Sequence, residues 1–160
     1  MIEGFKPIVA NKPQILILGS MPSITSLKQQ EYYGFKYNRF WKIIATCFQT
    51  PLFTYEEKIQ CIKKHHLALW DVMQSCDRKS SLDSDIRNFK CNDIESFLKK
   101  NPSITHILCN GKKSYEVYQK HFKHIKLPCI ALPSTSNANR TIAESLIFET
   151  WISALKKRHS

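Results

Sequence analysis

Four short runs of apolar residues divide the chain. They are QILILG at 14–19, HLALWDV at 66–72, THILC at 105–109 and LPCIAL at 127–132. The apolar positions in each run are nearly continuous rather than alternating, which is typical of parallel strands covered on both faces. The pattern therefore predicts four strands of a buried, mainly parallel sheet.

Segments with helical patterns lie between and after these strands. Three of them begin with a residue pair in capping-box spacing. The pairs are Thr54 with Glu57, Asn92 with Glu95, and Thr141 with Glu144. Because strand and helix alternate along the chain, we expect an α/β fold, a three-layer sandwich around a central four-stranded sheet. No repeat or long linker divides residues 1–160, so we predict a single domain.

The segments that follow the four strands are rich in small, polar or basic residues. They cover residues 19–26, 71–85, 110–114 and 133–140. In an open parallel sheet these segments gather at one edge, where ligands bind. We therefore predict one groove lined by all four. Its carboxylates are acid or base candidates, although capping and loop bonding explain them as well. They are Asp71, Asp77, Asp83 and Asp85.

Two of these segments, GSMPS at 19–23 and NGKKS at 110–114, lead directly from a strand into a helix. Backbone N–H groups at such turns hold a phosphate or a water. Lys112 and Lys113 would oppose the dipole of the helix they begin, which suggests an anion nearby. A simple capped turn explains either segment equally well. Neither matches the Walker or dinucleotide-binding fingerprint.

The segment EYYGFKYNRFW at 31–41 carries six aromatic rings in eleven residues. Gly34 is expected to adopt a conformation that its bulky neighbours cannot. The tyrosine rings offer faces on which a base can stack. Asn38 carries an amide that suits a base edge, a water or the cap of the next helix. Phe40 and Trp41 are expected in the core.

Charge points to a polyanionic partner. Lysine and arginine number 24 against 13 acidic residues, a formal net charge of +11. Nucleic acid is the first candidate and an anionic membrane the second, with simple solubility as the alternative. No apolar stretch approaches the roughly 20 residues that span a bilayer. The first residues lack the pattern of a secretory signal, so we expect a cytoplasmic protein without membrane contact.

Cysteine and histidine spacing argues against metal and nucleophilic chemistry. Neighbouring cysteines among the six lie at least 14 positions apart, whereas metal ligands usually cluster two to four apart. We expect reduced thiols, no metal and no cofactor. The six histidines, His159 among them, all fall outside the four polar segments, so no catalytic triad is predicted.

The motifs LILGSMPS, YYGFKYNRFWKII, LWDVMQSC, NGKKSYE and LPSTSNAN, in this order, resemble the uracil-DNA glycosylase superfamily. They are most similar to its hypoxanthine-DNA glycosylase branch, over residues 14 to 155. The resemblance implies a monofunctional glycosylase acting on deaminated bases, chiefly hypoxanthine. Its partner would be double-stranded DNA, with single-stranded DNA as a further possibility, and the protein would act as a monomer. The alternatives are a mismatch-type uracil glycosylase and a catalytically silent nucleic-acid-binding module.

The resemblance also implies site residues. Asn38 would be catalytic. The base pocket would comprise Gly19, Ser20, Met21, Pro22, Tyr33 and Asn110, with Tyr33 stacking on the flipped base. DNA would be contacted by Ser23, Arg39, Lys112, Lys113, Pro133, Ser134, Thr135, Ser136, Asn137 and Arg140.

Several positions depart from the patterns of relatives. Met21 stands where the mismatch-specific enzymes carry a water-orienting asparagine, and Leu132 replaces the histidine of uracil-specific members. Both argue against strong uracil activity. Phe35-Lys36 replaces a common His-Pro, and Asn137 stands where proline is frequent. These two changes affect pocket shape and loop rigidity.

Overall fold

A computed structural model of the chain describes residues 1–157. Its strands are β1 Ile2–Glu3, β2 Ile8–Val9, β3 Ile15–Gly19, β4 Leu67–Asp71, β5 Met73–Asp77, β6 Arg87–Cys91, β7 His106–Asn110 and β8 Cys129–Leu132. Its α-helices are α1 Ile24–Gln29, α2 Phe40–Cys47, α3 Tyr55–Lys64, α4 Ile94–Lys100, α5 Lys112–Phe122 and α6 Glu144–Lys156. A short 3-10 turn covers Asp83–Asp85.

The four predicted strands form the parallel part of the main sheet, in the order β4-β3-β7-β8. The α/β fold class is confirmed, but the main sheet has five strands rather than four. The fifth, β2, pairs antiparallel with β4 at one edge. It was missed because two residues are too short to show any hydrophobic period. A separate antiparallel sheet, β1-β5-β6, was missed because its strands are short and largely polar.

Alternate residues of β3 point into two different apolar layers, which makes the structure a three-layer sandwich. Ile15 and Ile17 pack with residues of α2 and α6, among them Trp151. Leu16 and Leu18 pack on the other face with residues of α4 and α5. Because both faces of the strand are covered, its sequence is continuously apolar.

The three predicted helix caps have different outcomes. Thr54 and Glu57 form the reciprocal capping box at the start of α3. Asp93, not Asn92, caps α4, since the buried Asn92 amide donates instead to backbone carbonyls of β4 and β5. Helix α6 begins at Glu144 without a side-chain cap, so the prediction for Thr141 was wrong.

Within residues 1–157, none of the helices combines the length and apolar character that crossing a membrane requires. The six cysteines form no disulfide, although the sulfur atoms of Cys109 and Cys129 lie 3.4 Å apart on neighbouring strands.

Candidate nucleic-acid base pocket

A cavity of about 480 Å³ opens at the carboxyl ends of the parallel strands. Residues from all four predicted segments line it, as parallel topology requires. The cavity is within the usual range of small-ligand sites, roughly 300–1,000 Å³. None of the five histidines within residues 1–157 reaches it.

Twelve of the residues selected from the sequence line this cavity, although their roles remain predictions. They are Gly19, Ser20, Met21, Pro22, Ser23, Tyr33, Asn38, Asn110, Ser134, Thr135, Ser136 and Asn137. Some of them also have clear local roles. Ser23 accepts a hydrogen bond from the Ser26 N–H and so caps α1, and Ser20 donates to Asp83 at 2.6 Å.

The amide of Asn38 is fixed in one orientation. Its Oδ1 accepts from the backbone N–H of Phe40 and from the hydroxyl of Thr135, both at 2.9 Å. A backbone N–H can only donate, so the atom facing it must be the amide oxygen. Both lone pairs of that oxygen are used, and Nδ2 has no hydrogen-bond partner among residues 1–157. Asn38 therefore presents a hydrogen-bond donor to the cavity while it also caps α2.

Thr135 links Asn38 to a second buried amide. The Thr135 side chain is fully buried, and its hydroxyl accepts from Nδ2 of Asn110 at 3.0 Å. The backbone N–H of Thr135 donates to Oδ1 of the same Asn110, also at 3.0 Å. The three side chains form one network in which each donor and acceptor fixes the next. This network joins β7, the loop after β8 and the start of α2.

Tyr33 lies between the core and the cavity. Its ring stacks on Phe40 with centroids 4.1 Å apart. Burial and the nearby carboxylate of Asp71 both raise the pKa of Tyr33, so it stays neutral. Tyr33, and not Gly34, adopts a positive φ, of 53°. The conformational role predicted for Gly34 was therefore wrong, and the strained residue is one that faces the cavity.

These features agree with an independent comparison of the sequence. Residues 7–156 match the family model described as the uracil DNA glycosylase superfamily. The chain belongs to the uracil DNA glycosylase superfamily. The family predicted from the motifs is thereby confirmed.

Similar proteins come from two species of Methanosarcina. A protein of Methanosarcina acetivorans named hypoxanthine DNA glycosylase is 33% identical over 145 residues, covering 89% of this chain and 91% of the relative. One of Methanosarcina barkeri with the same name is 30% identical over 157 residues, covering 97% and 98%. A solution NMR structure of a candidate uracil DNA glycosylase from Methanosarcina acetivorans superposes with a TM-score of 0.84. It shares 32% identity and covers 96% of this chain and 95% of that one.

Arg39 of this superfamily member is bound within the protein, and its contact with DNA stays a prediction. It is 9% exposed, and its guanidinium donates to the backbone carbonyls of Thr135, Ser136 and Asn139. A buried cation is stabilised by such hydrogen bonds. Arg39 therefore fastens the segment 133–140 to the start of α2.

Four other predicted DNA contacts lie outside the cavity. Pro133 accepts a hydrogen bond from the indole of Trp151, which ties its loop to α6. Lys112 pairs with Glu116 at 3.9 Å, and Lys113 lies over the ring of Phe89. Arg140 is exposed beside the loop. The structure leaves DNA contact by Lys112, Lys113 and Arg140 as a prediction.

The sequence alone did not single out two residues that line the cavity. Phe35 was noted only as a departure from relatives. Asp71 was one of four candidate carboxylates, of which Asp77 and Asp85 lie outside the cavity. Asp71 is the last residue of β4, and this position at the carboxyl end of a parallel strand was the available signal.

Proposed function

We propose that this protein is a monofunctional DNA glycosylase that removes hypoxanthine from double-stranded DNA by hydrolysing the N-glycosidic bond. The observation that carries the proposal is the fixed donor at Nδ2 of Asn38. The 6-oxo group of hypoxanthine accepts a hydrogen bond, whereas the 6-amino group of adenine donates one. The amide orientation thus favours the deaminated base over its normal parent.

The cavity suits a base that has left the double helix. A base inside a duplex cannot reach a pocket at a sheet edge, so it must be flipped out, which costs less when its pair is weak. Hypoxanthine pairs poorly, which lowers this cost. Tyr33, supported by Phe40 at 4.1 Å, provides the aromatic surface for stacking.

Charge and chemistry are consistent with simple hydrolysis. The net charge of +11 favours binding to the phosphate backbone. Loss of the base gives the sugar the character of an oxocarbenium ion, which nearby DNA phosphates stabilise. Of the residues in 1–157, no lysine lines the cavity, so a Schiff-base intermediate has no nucleophile there. We therefore expect water as the attacking group and an intact abasic site as the product.

The proposal is tested with labelled duplexes that contain deoxyinosine, deoxyuridine, deoxyxanthosine or deoxyadenosine, treated with alkali after incubation. We expect cleavage only after alkali, preference for deoxyinosine, no action on deoxyadenosine, and loss of activity in Asn38→Ala. Asn11→Ala is the matched control, because Asn11 is exposed and outside the cavity.

Other outcomes separate the alternatives. Preference for deoxyuridine would indicate a mismatch-type uracil glycosylase in the same fold. Tight binding to every duplex without base release would indicate a silent DNA-binding module. Full activity in Asn38→Ala would mean that the protein is a glycosylase whose activity does not depend on the Asn38 amide.

A further inference from the structure

One buried carboxyl oxygen among the residues that line the cavity makes no hydrogen bond within residues 1–157. Asp71 is 4% exposed and lines the cavity floor at the end of β4. Its Oδ2 atom is buried and makes no hydrogen bond with any described residue. A side chain at Gly19 would collide with Oδ1 of Asp71 and come within 3.0 Å of the Tyr33 hydroxyl. Glycine at this position therefore lets the carboxyl and the phenol meet at the floor.

Among residues 1–157, buried side-chain atoms without a hydrogen-bond partner occur in Asp71, Arg78 and Tyr118, and of these three residues Asp71 lines the cavity. The buried Asn92, Ser114 and Thr135 all use their side chains in hydrogen bonds to the protein. A buried polar group left unpaired costs roughly 1–3 kcal/mol. An unpaired carboxyl facing a cavity is thus better explained by a ligand than by folding.

The groups around Asp71 keep its carboxyl protonated near neutral pH. Burial and the charge of Asp83 raise its pKa, the Arg78 guanidinium lowers it, and the net value is about 7. The phenols of Tyr32 and Tyr33 also face it, and both stay neutral because burial and Asp71 raise their pKa values. With a pKa of about 7, the carboxyl carries its proton in a substantial fraction of the molecules near neutral pH.

Excision of a purine requires such a proton. When the bond between C1′ and N9 breaks, its electron pair remains on the base, and protonation of another ring nitrogen stabilises the departing base. N1 of hypoxanthine already carries hydrogen, whereas N3 and N7 have free lone pairs. N7 shares one edge of the ring with O6, so a base held by Asn38 through O6 presents N7 to a second donor in the same cavity.

We propose that Asp71 is the general acid of this site and donates its proton to N7 of the departing purine. This inference rests on the proposed function. The bond between C1′ and N9 breaks with its electrons moving to N9, while the proton of Asp71 moves to N7. Neutral hypoxanthine leaves and Asp71 becomes a carboxylate. Water adds to C1′ and loses a proton to solvent, and Asp71 recovers a proton from solvent before the next cycle.

The test measures single-turnover base release from duplexes with deoxyinosine or 7-deaza-deoxyinosine, from about pH 5 to about pH 9. The proteins are the wild type, Asp71→Asn and the control Asp77→Asn, which makes the same chemical change outside the cavity. With deoxyinosine we expect the wild-type rate to fall above about pH 7, since the acid form is the active one. Asp71→Asn should be slower by about 10²-fold or more and lack this decline, while Asp77→Asn follows the wild type.

The 7-deaza substrate makes the test independent of how well the variant folds. It has no N7 to protonate, so the wild type should process it slowly and without the decline above neutral pH. Asp71→Asn should be no slower on it than the wild type. A wild-type decline that persists with the 7-deaza base, or equal rate losses for Asp71→Asn on both substrates, would overturn the assignment. If the wild type releases no hypoxanthine, the proposed function is wrong. If the wild type and Asp71→Asn both release hypoxanthine at normal rates, the proposed function stands and only the assignment of Asp71 as general acid is wrong.

Discussion

Two sets of polar side chains that line the cavity differ in how completely their polar atoms are hydrogen-bonded. On one wall, Asn38, Thr135 and Asn110 satisfy one another, and one amide N–H₂ group is left to face the cavity. On the other wall, Asp71 is buried as deeply but its Oδ2 has no partner. A satisfied network fixes the direction of a hydrogen bond. An unpaired carboxyl instead keeps a variable protonation state. The first property suits recognition of a base, and the second suits proton transfer.

The largest effect is expected when the hydrogen-bond donor of Asn38 is replaced by an acceptor. Asn38→Asp preserves shape and still accepts from Phe40 and Thr135, but presents an acceptor to the cavity. We expect single-turnover release of hypoxanthine to fall about 10³-fold, because O6 then meets a second oxygen. Rates of Asn38→Asp equal to or above those of Asn38→Ala would contradict the donor role.

The Asp71 carboxyl should make the free energy of unfolding depend on pH. The folded-state pKa of Asp71 is about 7, above the value of roughly 3.9 in an unfolded chain. Between these values the folded state binds more protons, so the free energy of unfolding falls as pH rises. Asp71→Asn has no carboxyl to titrate at this position and should not lose stability in this way. The free energy of unfolding of Asp71→Asn, relative to that of the wild type, should therefore rise by up to about 4 kcal/mol between pH 4 and pH 8.

Denaturant unfolding of both proteins at several pH values measures the effect. Asp77→Asn serves as the comparison, because the Asp77 side chain is half exposed and pairs with Asn88 and the N-terminal amine. A stability difference between Asp71→Asn and wild type that does not change with pH would show that Asp71 is ionised in the folded protein.

The amide network can be loosened without touching Asn38. Thr135→Val removes the hydroxyl that donates to Asn38 and accepts from Asn110. Each such bond is worth roughly 1 kcal/mol, so loss of the two should slow the reaction about tenfold or more and weaken discrimination between deoxyinosine and deoxyadenosine. Thr135→Ser keeps the hydroxyl and should retain the wild-type rate and the wild-type discrimination. Equal behaviour of the two variants would show that only packing matters at this position.

The smallest effect should come from the charge beside Asp71. Asp83 raises the pKa of Asp71, so Asp83→Asn should lower it and move the decline in activity to lower pH by less than about one unit. Asp85→Asn lies outside the cavity and is the control. A shift to higher pH, or none, would indicate that Asp83 does not act on Asp71 through its charge.

Much of the cavity could be predicted from the sequence because parallel strands place their carboxyl ends together. This rule brought residues 19–23, Asn110 and 134–137 to one site without knowledge of any contact. The rule could not show which of the candidate carboxylates line the cavity. Asp71 and Asp77 lie only six positions apart, yet one lines the cavity floor and the other lies on the second sheet, which the apolar pattern does not show.

The sequence by itself determined the parallel core, the capping box of α3, the basic charge and the family, because each depends on local pattern or composition. Tertiary structure decided the chemistry of the site. Asn38 is a donor because of Thr135, 97 positions away, and the guanidinium of Arg39 is held by the same loop. Oδ2 of Asp71 has no hydrogen-bond partner because the surrounding elements of residues 1–157 bury this atom without placing a donor within reach of it. Hydrogen-bond direction and desolvation depend on neighbours in space, which a pattern along the chain does not specify.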